Sequence, residues 1–204
     1  MPNFGPPSTP RPAASIVLLR RGGKHSQRAL EVLLLRRSEQ ARFMPGVWVF
    51  PGGSVDETDG ADEAGVRACA MRELAEEAGI ELPAGEELVP FTRWITPELI
   101  ATRFDAWFFL ALAPAHTPPQ PDGIETTEAR WFQPQAALEA QEAGEVVLSF
   151  PTRTQLRWLT EFRTADEAMA AYRKRPLEPI LPKVVADGEE PRVVLPGEPG
   201  YPDA

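Results

Sequence analysis

The sequence predicts a single domain of the α/β class, and three observations support this. The chain has 204 residues, which is enough for one domain with a two-layer or three-layer core. Its 43% hydrophobic and 25% charged residues are typical of a soluble globular protein. Strand-like and helix-like stretches both occur along the chain, and no repeat or linker divides it.

Strands are predicted where short β-branched or leucine-rich runs lie between turn-forming residues. They span residues 13–21, 29–37, 46–50, 88–96 and 103–113, with a further strand end at 129–134. The first two runs flank a glycine-containing turn and are predicted to form a hairpin. The run at 103–113 is apolar nearly throughout, which is typical of a strand buried on both faces. Residues 114–128, which follow this strand, are predicted to form a loop.

Helices are predicted where apolar residues recur with helical spacing. They span residues 62–78, 134–143, 152–162 and 165–175. The first helix has an apolar stripe and should end at Gly79; the stripe consists of Val66, Ala70, Leu74 and Ala78. We assign residues 1–12 to an irregular N-terminal segment and residues 13–175 to the domain. Residues 176–204 are assigned to a C-terminal extension packed on it, with a loose hairpin around residues 186–190.

Composition also limits the classes of function. A net charge of −9 argues against a nucleic-acid binder that works by general electrostatic attraction. Cys69 is the lone cysteine, which excludes an internal disulfide and fits a reducing compartment. No apolar run approaches the length of a membrane span, and the N-terminus lacks the apolar region of a secretory signal. We therefore expect a cytoplasmic protein that does not bind membranes.

The predicted helix at 62–78 carries an unusual group of charges. Glu73, Glu76 and Glu77 lie within an arc of about 100° on one helical face. Like charges at this spacing repel by a few tenths of a kcal/mol per pair. The arrangement becomes favourable if something cationic lies over that face.

The segment RELAEEAGI, residues 72–80, follows FPGG, residues 50–53, and together they resemble the Nudix hydrolase signature. That signature reads G-x(5)-E-x(7)-R-E-U-x-E-E-x-G-U, where U is a bulky aliphatic residue. Its second half matches at Arg72, Glu73, Leu74, Glu76, Glu77, Gly79 and Ile80. Its first half departs, because the loop between Gly53 and Arg72 is about five residues longer and Ala64 stands where a glutamate is expected. Asp62 or Glu63 could substitute for that glutamate, or the support it supplies could be missing.

A second pattern, RRSEQARFMPGVWVFPGG at residues 36–53, resembles the motif of coenzyme A diphosphatases of the Nudix family. The matching positions are Leu33, Leu34, Arg37, Ser38, Arg42, Gly46, Phe50, Pro51, Gly52 and Gly53. Leu35 replaces the expected threonine. The resemblance is to those coenzyme A diphosphatases that have an enlarged loop within the Nudix signature, such as the mammalian peroxisomal enzyme. Arg37 and Arg42 would then bind substrate; the alternative is that they only serve solubility.

The resemblance implies a Nudix-type α/β/α sandwich with a mixed sheet. It also implies hydrolysis of a diphosphate bond with Mg²⁺ or Mn²⁺, whose oxygen ligands would be Glu73, Glu76, Glu77 and the Gly52 carbonyl. Arg72 would orient a glutamate of this cluster. The general base would be a glutamate of the cluster or of a later loop, where Glu125 and Glu128 are the candidates.

The resemblance leaves the substrate open. Coenzyme A or an acyl-coenzyme A is the first choice, and NADH, ADP-ribose or a nucleoside triphosphate is the alternative. Because Ala64 and the longer loop depart from the signature, a catalytically silent binding module of the same fold is also carried as an alternative. The expected partner is a small nucleotide-type substrate, and a homodimer would be in keeping with the family.

Overall fold

The computed structural model describes residues 8–21, 29–60, 62–186 and 191–202. Its strands are β1 (Arg11–Arg21), β2 (Leu30–Arg37), β3 (Trp48–Val49), β4 (Gly52–Ser54), β5 (Val89–Ile95), β6 (Phe104–Leu112), β7 (Thr126–Phe132), β8 (Pro179–Ile180), β9 (Lys183–Ala186) and β10 (Pro191–Val194). Its helices are α1 (Glu63–Ala78), α2 (Pro134–Glu142), α3 (Phe150–Leu159) and α4 (Ala165–Tyr172). Within these residues, none of the helices combines the length and apolar character needed to cross a membrane.

The main sheet is mixed and runs in the order β3-β2-β1-β6-β5-β8. β1 and β6 are parallel, with Ser15 opposite Phe108. β1 pairs with β2 in antiparallel fashion, as the predicted hairpin requires; its turn at residues 22–28 lies outside the described residues. β4 pairs with β1, and β7 pairs with β2.

Alternate side chains of β1 enter two different hydrophobic cores, as the period of a strand dictates. Ile16 and Leu18 pack in the core that includes α1. Val17 and Leu19 pack in the core formed with α2, α3 and α4. The sheet thus lies between two helical layers, which confirms the predicted α/β/α sandwich.

Helix α1 begins and ends as its sequence predicts. The Asp62 side chain accepts a hydrogen bond from the Gly65 N–H at its N-terminus. Gly79 closes the C-terminus with a φ of 64°, a left-handed conformation that glycine adopts without steric strain. The predicted apolar stripe is buried along its whole length.

Three elements differ from the sequence-based expectation. β7 begins at Thr126, within residues that were expected to be loop, because pairing with Arg37 of β2 orders them. β4 was not predicted, since its Gly-Gly-Ser sequence has no strand propensity of its own. β1 begins at Arg11, inside the N-terminal segment that was expected to be irregular, because it pairs with β6 from Arg11 onward. In the tail, by contrast, β9 and β10 form the predicted antiparallel hairpin, whose turn at 187–190 lies outside the described residues.

Candidate active site

The glutamates of the acidic cluster on α1, Glu73, Glu76 and Glu77, differ sharply in exposure. Glu77 is only 3% exposed. The Glu73 side chain is 13% exposed and that of Glu76 is 60% exposed. The acidic face is therefore not uniformly exposed: at its Glu77 end, Gly52 of β4 and Thr126 of β7 both donate hydrogen bonds to Glu77.

The Glu77 carboxylate is where the surrounding charges converge. Burial raises its pKa to about 7, and the negative charges of Glu73 and Glu125 act in the same direction. A hydrogen bond of 2.9 Å from the Gly52 N–H to Oε2 opposes this rise, as does the positive charge of Arg37. Residues from four separate parts of the chain thus lie close enough to influence one carboxylate.

Gly52 and Gly53 allow β4 to approach both β1 and α1. A Cβ at Gly53 would lie 2.3 Å from Oε1 of Glu73. A Cβ at Gly52 would lie 2.4 Å from the Ala14 carbonyl oxygen. No larger residue fits either position without displacement. Gly52 contacts Glu77 through its N–H, whereas the sequence pointed to its carbonyl as a metal ligand.

Arg72 donates hydrogen bonds to three carboxylates from one guanidinium group. Nη1 donates hydrogen bonds of 2.9 Å to both Glu73 and Glu76. Nε and Nη2 donate hydrogen bonds of 3.0 Å and 2.8 Å to the two carboxylate oxygens of Asp59. Nη2 also donates to the Ser54 carbonyl at 3.2 Å. In this structure the positive group over the acidic face is Arg72 itself.

Asp59 is the residue that the sequence analysis missed. Asp62 caps the N-terminus of α1, and Glu63 pairs with Arg67 at 2.9 Å, so the two suggested substitutes are engaged elsewhere. The Asp59 carboxylate is 5% exposed and receives the bidentate contact from Arg72. An acidic residue directly before Gly60 is a turn signal, and this was the available clue.

Arg37 ends β2, and Arg42 lies in the middle of the loop that joins β2 to β3. Nε of Arg37 donates a 3.0 Å hydrogen bond to the Phe43 carbonyl. The Arg37 N–H and carbonyl also bond to Val47 and Gly46, so the loop closes on Arg37. Arg42 is exposed, and its guanidinium group makes no ion pair with any residue that the structure describes.

The two candidate bases lie in different surroundings. Glu125 acts electrostatically on both Glu73 and Glu77, which places it near the cluster. Glu128 instead pairs with Arg36 at 2.9 Å. The backbone N–H of Glu125 donates to Asp122, and the neighbouring Thr126 hydroxyl donates to the Glu77 carbonyl at 2.8 Å. The loop before β7 is thereby attached to the C-terminal turn of α1.

The donor set fits a divalent cation in its chemistry, although it is not arranged as a finished site. Among the described residues, no three His, Cys, Asp or Glu side chains are grouped so that they could hold a metal ion. Carboxylate oxygens are the ligands that Mg²⁺ and Mn²⁺ prefer. Burial and the neighbouring acids raise the pKa of both Glu73 and Glu77. A cation would relieve this unfavourable accumulation of negative charge.

An α/β/α sandwich with an acidic helix packed against a Gly-Gly strand is the arrangement of the Nudix domain. Residues 9–150 match the family model of the NUDIX domain, so this chain belongs to the Nudix family and is a Nudix hydrolase. Hydrolases of this family act on nucleoside diphosphate-linked substrates and generally use divalent metal ions.

Several named proteins are similar to this chain. A Caenorhabditis elegans protein classed as nudix hydrolase 7 is 29% identical across 76% of this chain, which spans 62% of that relative's length. The acyl-coenzyme A diphosphatase NUDT19 of Homo sapiens is 25% identical, and the match covers 96% of this chain and 75% of that relative's length. The peroxisomal coenzyme A diphosphatase ndx-8 of C. elegans is 43% identical, but the match covers only 33% of this chain and 26% of that relative's length.

Solved structures share the fold. A NUDIX hydrolase from Alicyclobacillus acidocaldarius has a TM-score of 0.71 and 26% identity, and the match covers 83% of this chain and 99% of that one. The NUDIX domain of Shewanella oneidensis NrtR, in complex with ADP-ribose, has a TM-score of 0.55 and 21% identity over 76% of this chain and 88% of that one. The second likeness concerns the fold alone.

Proposed function

We propose that this chain hydrolyses the diphosphate bond of coenzyme A or an acyl-coenzyme A, using Mg²⁺ or Mn²⁺. The observation that supports this substrate is the presence of two arginines, Arg37 and Arg42, on the loop that runs from Arg37 to Gly46. The positive charge of Arg37 lowers the pKa of Glu77, which favours the ionised carboxylate. Arg42 presents an exposed guanidinium group on the same loop. Positive charge beside an acidic cluster suits an anionic substrate held next to a bound cation.

Glu73, Glu76 and Glu77 would hold the metal in this proposal, with the Gly52 carbonyl as a further candidate ligand. A divalent cation bound there supplies positive charge to the diphosphate and lowers the pKa of a water molecule. Arg72 orients Glu73 and Glu76 through the hydrogen bonds from Nη1. The Gly52 N–H fixes the direction of the Glu77 carboxylate.

Glu125 is the proposed general base. Water would attack one phosphorus, the bond from that phosphorus to the bridging oxygen would break, and the bridging oxygen would leave with the electron pair. The proton of the attacking water would pass to the Glu125 carboxylate. Glu128 is less suited to this role because Arg36 already engages its carboxylate.

Coenzyme A carries a 3′-phosphate that dephospho-coenzyme A lacks. Guanidinium groups bind phosphate through two parallel hydrogen bonds, and Arg42 has no competing carboxylate among the described residues. The human and C. elegans relatives named above are diphosphatases of acyl-coenzyme A and coenzyme A. Arg42 is therefore the proposed ligand of the 3′-phosphate.

NADH, ADP-ribose and nucleoside triphosphates remain the alternative substrates, and a silent binding module remains the alternative outside the enzyme class. The proposal also retains residues 13–175 as the catalytic domain and residues 176–204 as its extension. A cytoplasmic location is retained because the lone thiol of Cys69 is free. A homodimer would be compatible with the family.

A turnover screen tests the proposal. The wild-type protein is incubated with coenzyme A, an acyl-coenzyme A, dephospho-coenzyme A, NADH, ADP-ribose and a nucleoside triphosphate, in Mg²⁺, Mn²⁺ or EDTA. Two phosphomonoesters should form fastest from coenzyme A or acyl-coenzyme A, and EDTA should abolish the reaction. Glu77→Gln should lower kcat by several orders of magnitude, whereas Glu142→Gln, an exposed change on α2, should not. Preferential cleavage of ADP-ribose or NADH would overturn the substrate assignment.

A further inference from the structure

We propose that Asp59 is a positioning residue that holds Arg72 on the enlarged loop, so that Glu73 and Glu76 can exchange Arg72 for a divalent cation. This inference rests on the metal site of the proposed function. It assigns a task to a residue of the longer loop, at a position that the Nudix signature does not contain.

The contacts of Arg72 divide between two sides of its guanidinium group. Nε and Nη2 face Asp59 in a bidentate pair with distances of 3.0 Å and 2.8 Å. Nη1 alone faces Glu73 and Glu76, at 2.9 Å from each. A bidentate pair is stronger and more directional than single hydrogen bonds to a shared N–H group. Arg72 is therefore held more firmly by the loop than by the glutamates.

The loop keeps the Asp59 carboxylate in place from its own side. The Asp56 N–H donates a 2.9 Å hydrogen bond to Oδ2 of Asp59, and the Asp59 N–H donates to the Asp56 carbonyl at 3.0 Å. Gly60 follows with a φ of 103°, and a Cβ on Gly65 would lie 2.3 Å from the Gly60 carbonyl oxygen. This close approach packs the loop directly on the first turn of α1.

Loss of Asp59 would change what Arg72 can reach. Nε and Nη2 would no longer have a carboxylate partner apart from the exposed Asp56, which lies 3.8 Å from Nη2. The guanidinium group could then turn towards Glu73 or Glu76 and pair with either in bidentate fashion. Arg72 would compete with the cation for the same oxygens, so the affinity for metal would fall.

The test measures binding of Mn²⁺ itself, by the electron paramagnetic resonance signal of free Mn²⁺. Asp59→Asn should weaken Mn²⁺ binding by about 10-fold or more, since a charge-assisted contact is lost. Asp56→Asn removes the same charge from the same loop and should change binding by less than about 2-fold. In an Arg72→Gln background, Asp59→Asn should add almost nothing, because its effect passes through Arg72.

Kinetics separate positioning from a structural defect. The Mn²⁺ concentration for half-maximal rate should rise in Asp59→Asn, while kcat at saturating Mn²⁺ should return close to the wild-type value. Unchanged Mn²⁺ affinity, equal losses in Asp56→Asn, or additive losses in the Arg72→Gln background would each overturn the inference. Mn²⁺ binding that persists in Glu77→Gln would instead overturn the metal site of the proposed function, and this inference with it.

Discussion

The backbone N–H of Gly52 donates a 2.9 Å hydrogen bond to Oε2 of Glu77, and this contact joins β4 to α1 at a carboxylate that is 3% exposed. One N–H group offsets only part of the unfavourable burial, so the pKa of Glu77 rises to about 7. The acidic helix is therefore under electrostatic strain at the position where the proposed metal would bind.

That strain predicts an unusual stability profile for Glu77→Gln without metal. Because the folded pKa lies above the unfolded value of about 4.5, ionised Glu77 destabilises the fold increasingly as the pH rises from about 4.5 to about 7. In EDTA at pH 8, Glu77→Gln should be more stable than wild type by on the order of 2 kcal/mol, or roughly 5 °C in Tm. Below about pH 4.5, where Glu77 is protonated in both states, the difference should vanish. Thermal denaturation at both pH values checks this, and a less stable variant at pH 8 would contradict it.

Replacement by alanine should have different effects at Gly52 and at Gly53. In Gly53→Ala the new methyl group meets the flexible end of Glu73, so Tm should change little while kcat falls at least 10-fold, roughly the effect of misplacing a catalytic group. In Gly52→Ala it meets the backbone of Ala14 and Ser15, so Tm should fall by several degrees. Denaturation and turnover measured on both variants test the contrast; equal losses of stability would refute it.

Arg42→Ala should separate substrates by their 3′-phosphate. With coenzyme A, kcat/KM should fall by about one to two powers of ten, the value of a charged hydrogen bond. With dephospho-coenzyme A or NADH the loss should be much smaller. Arg157→Ala, an exposed change on α3, is the matched control. Equal losses on all three substrates would place Arg42 at the diphosphate or in the scaffold.

Asp122 should govern the position of Glu125. Its Oδ1 accepts hydrogen bonds from the N–H groups of Ile124, Glu125 and Thr126, at 3.1 Å, 3.1 Å and 2.8 Å. Burial opposes ionisation of Asp122, but these donors outweigh it and lower its pKa. Asp122→Ala should reduce kcat by about 10-fold with little change in KM, since the base is misplaced. Asp122→Asn keeps a hydrogen-bond acceptor at this position and should recover part of the rate. Normal turnover in both variants would mean that Glu125 is not the base, or that Asp122 does not position it.

Cys69 should be chemically silent in the folded protein. It is fully buried, and burial, with the charges of Glu73 and Asp59, raises the pKa of its thiol to about 12. At pH 8 a thiol reagent such as dithionitrobenzoate should not react until the protein is unfolded in guanidinium chloride. Absorbance of the released thiolate measures this, and rapid labelling of the native protein would show that α1 opens readily.

The sequence predicted the elements whose information is local. The helical period of Val66, Ala70, Leu74 and Ala78, with Gly79 as the stop, was enough to define α1. Strand β1 and its hairpin with β2 followed from β-branched or leucine-rich runs on either side of a glycine-containing turn. The spacing of Arg72, Glu73, Glu76 and Glu77 then indicated the family, because an α-helix converts that spacing directly into one face.

Tertiary structure decided how the same residues are surrounded. β4 exists because Gly52 and Gly53 pair with β1, a contact that no local pattern encodes. The unequal burial of Glu73, Glu76 and Glu77 depends on which segments cover α1. The choice of Asp59 over Asp62 and Glu63 depends on how a loop of irregular sequence folds back on the helix. Periodicity specifies a face of an element, whereas the partner of that face is chosen by long-range packing, and this is the physical reason that the helix was predictable and its electrostatic environment was not.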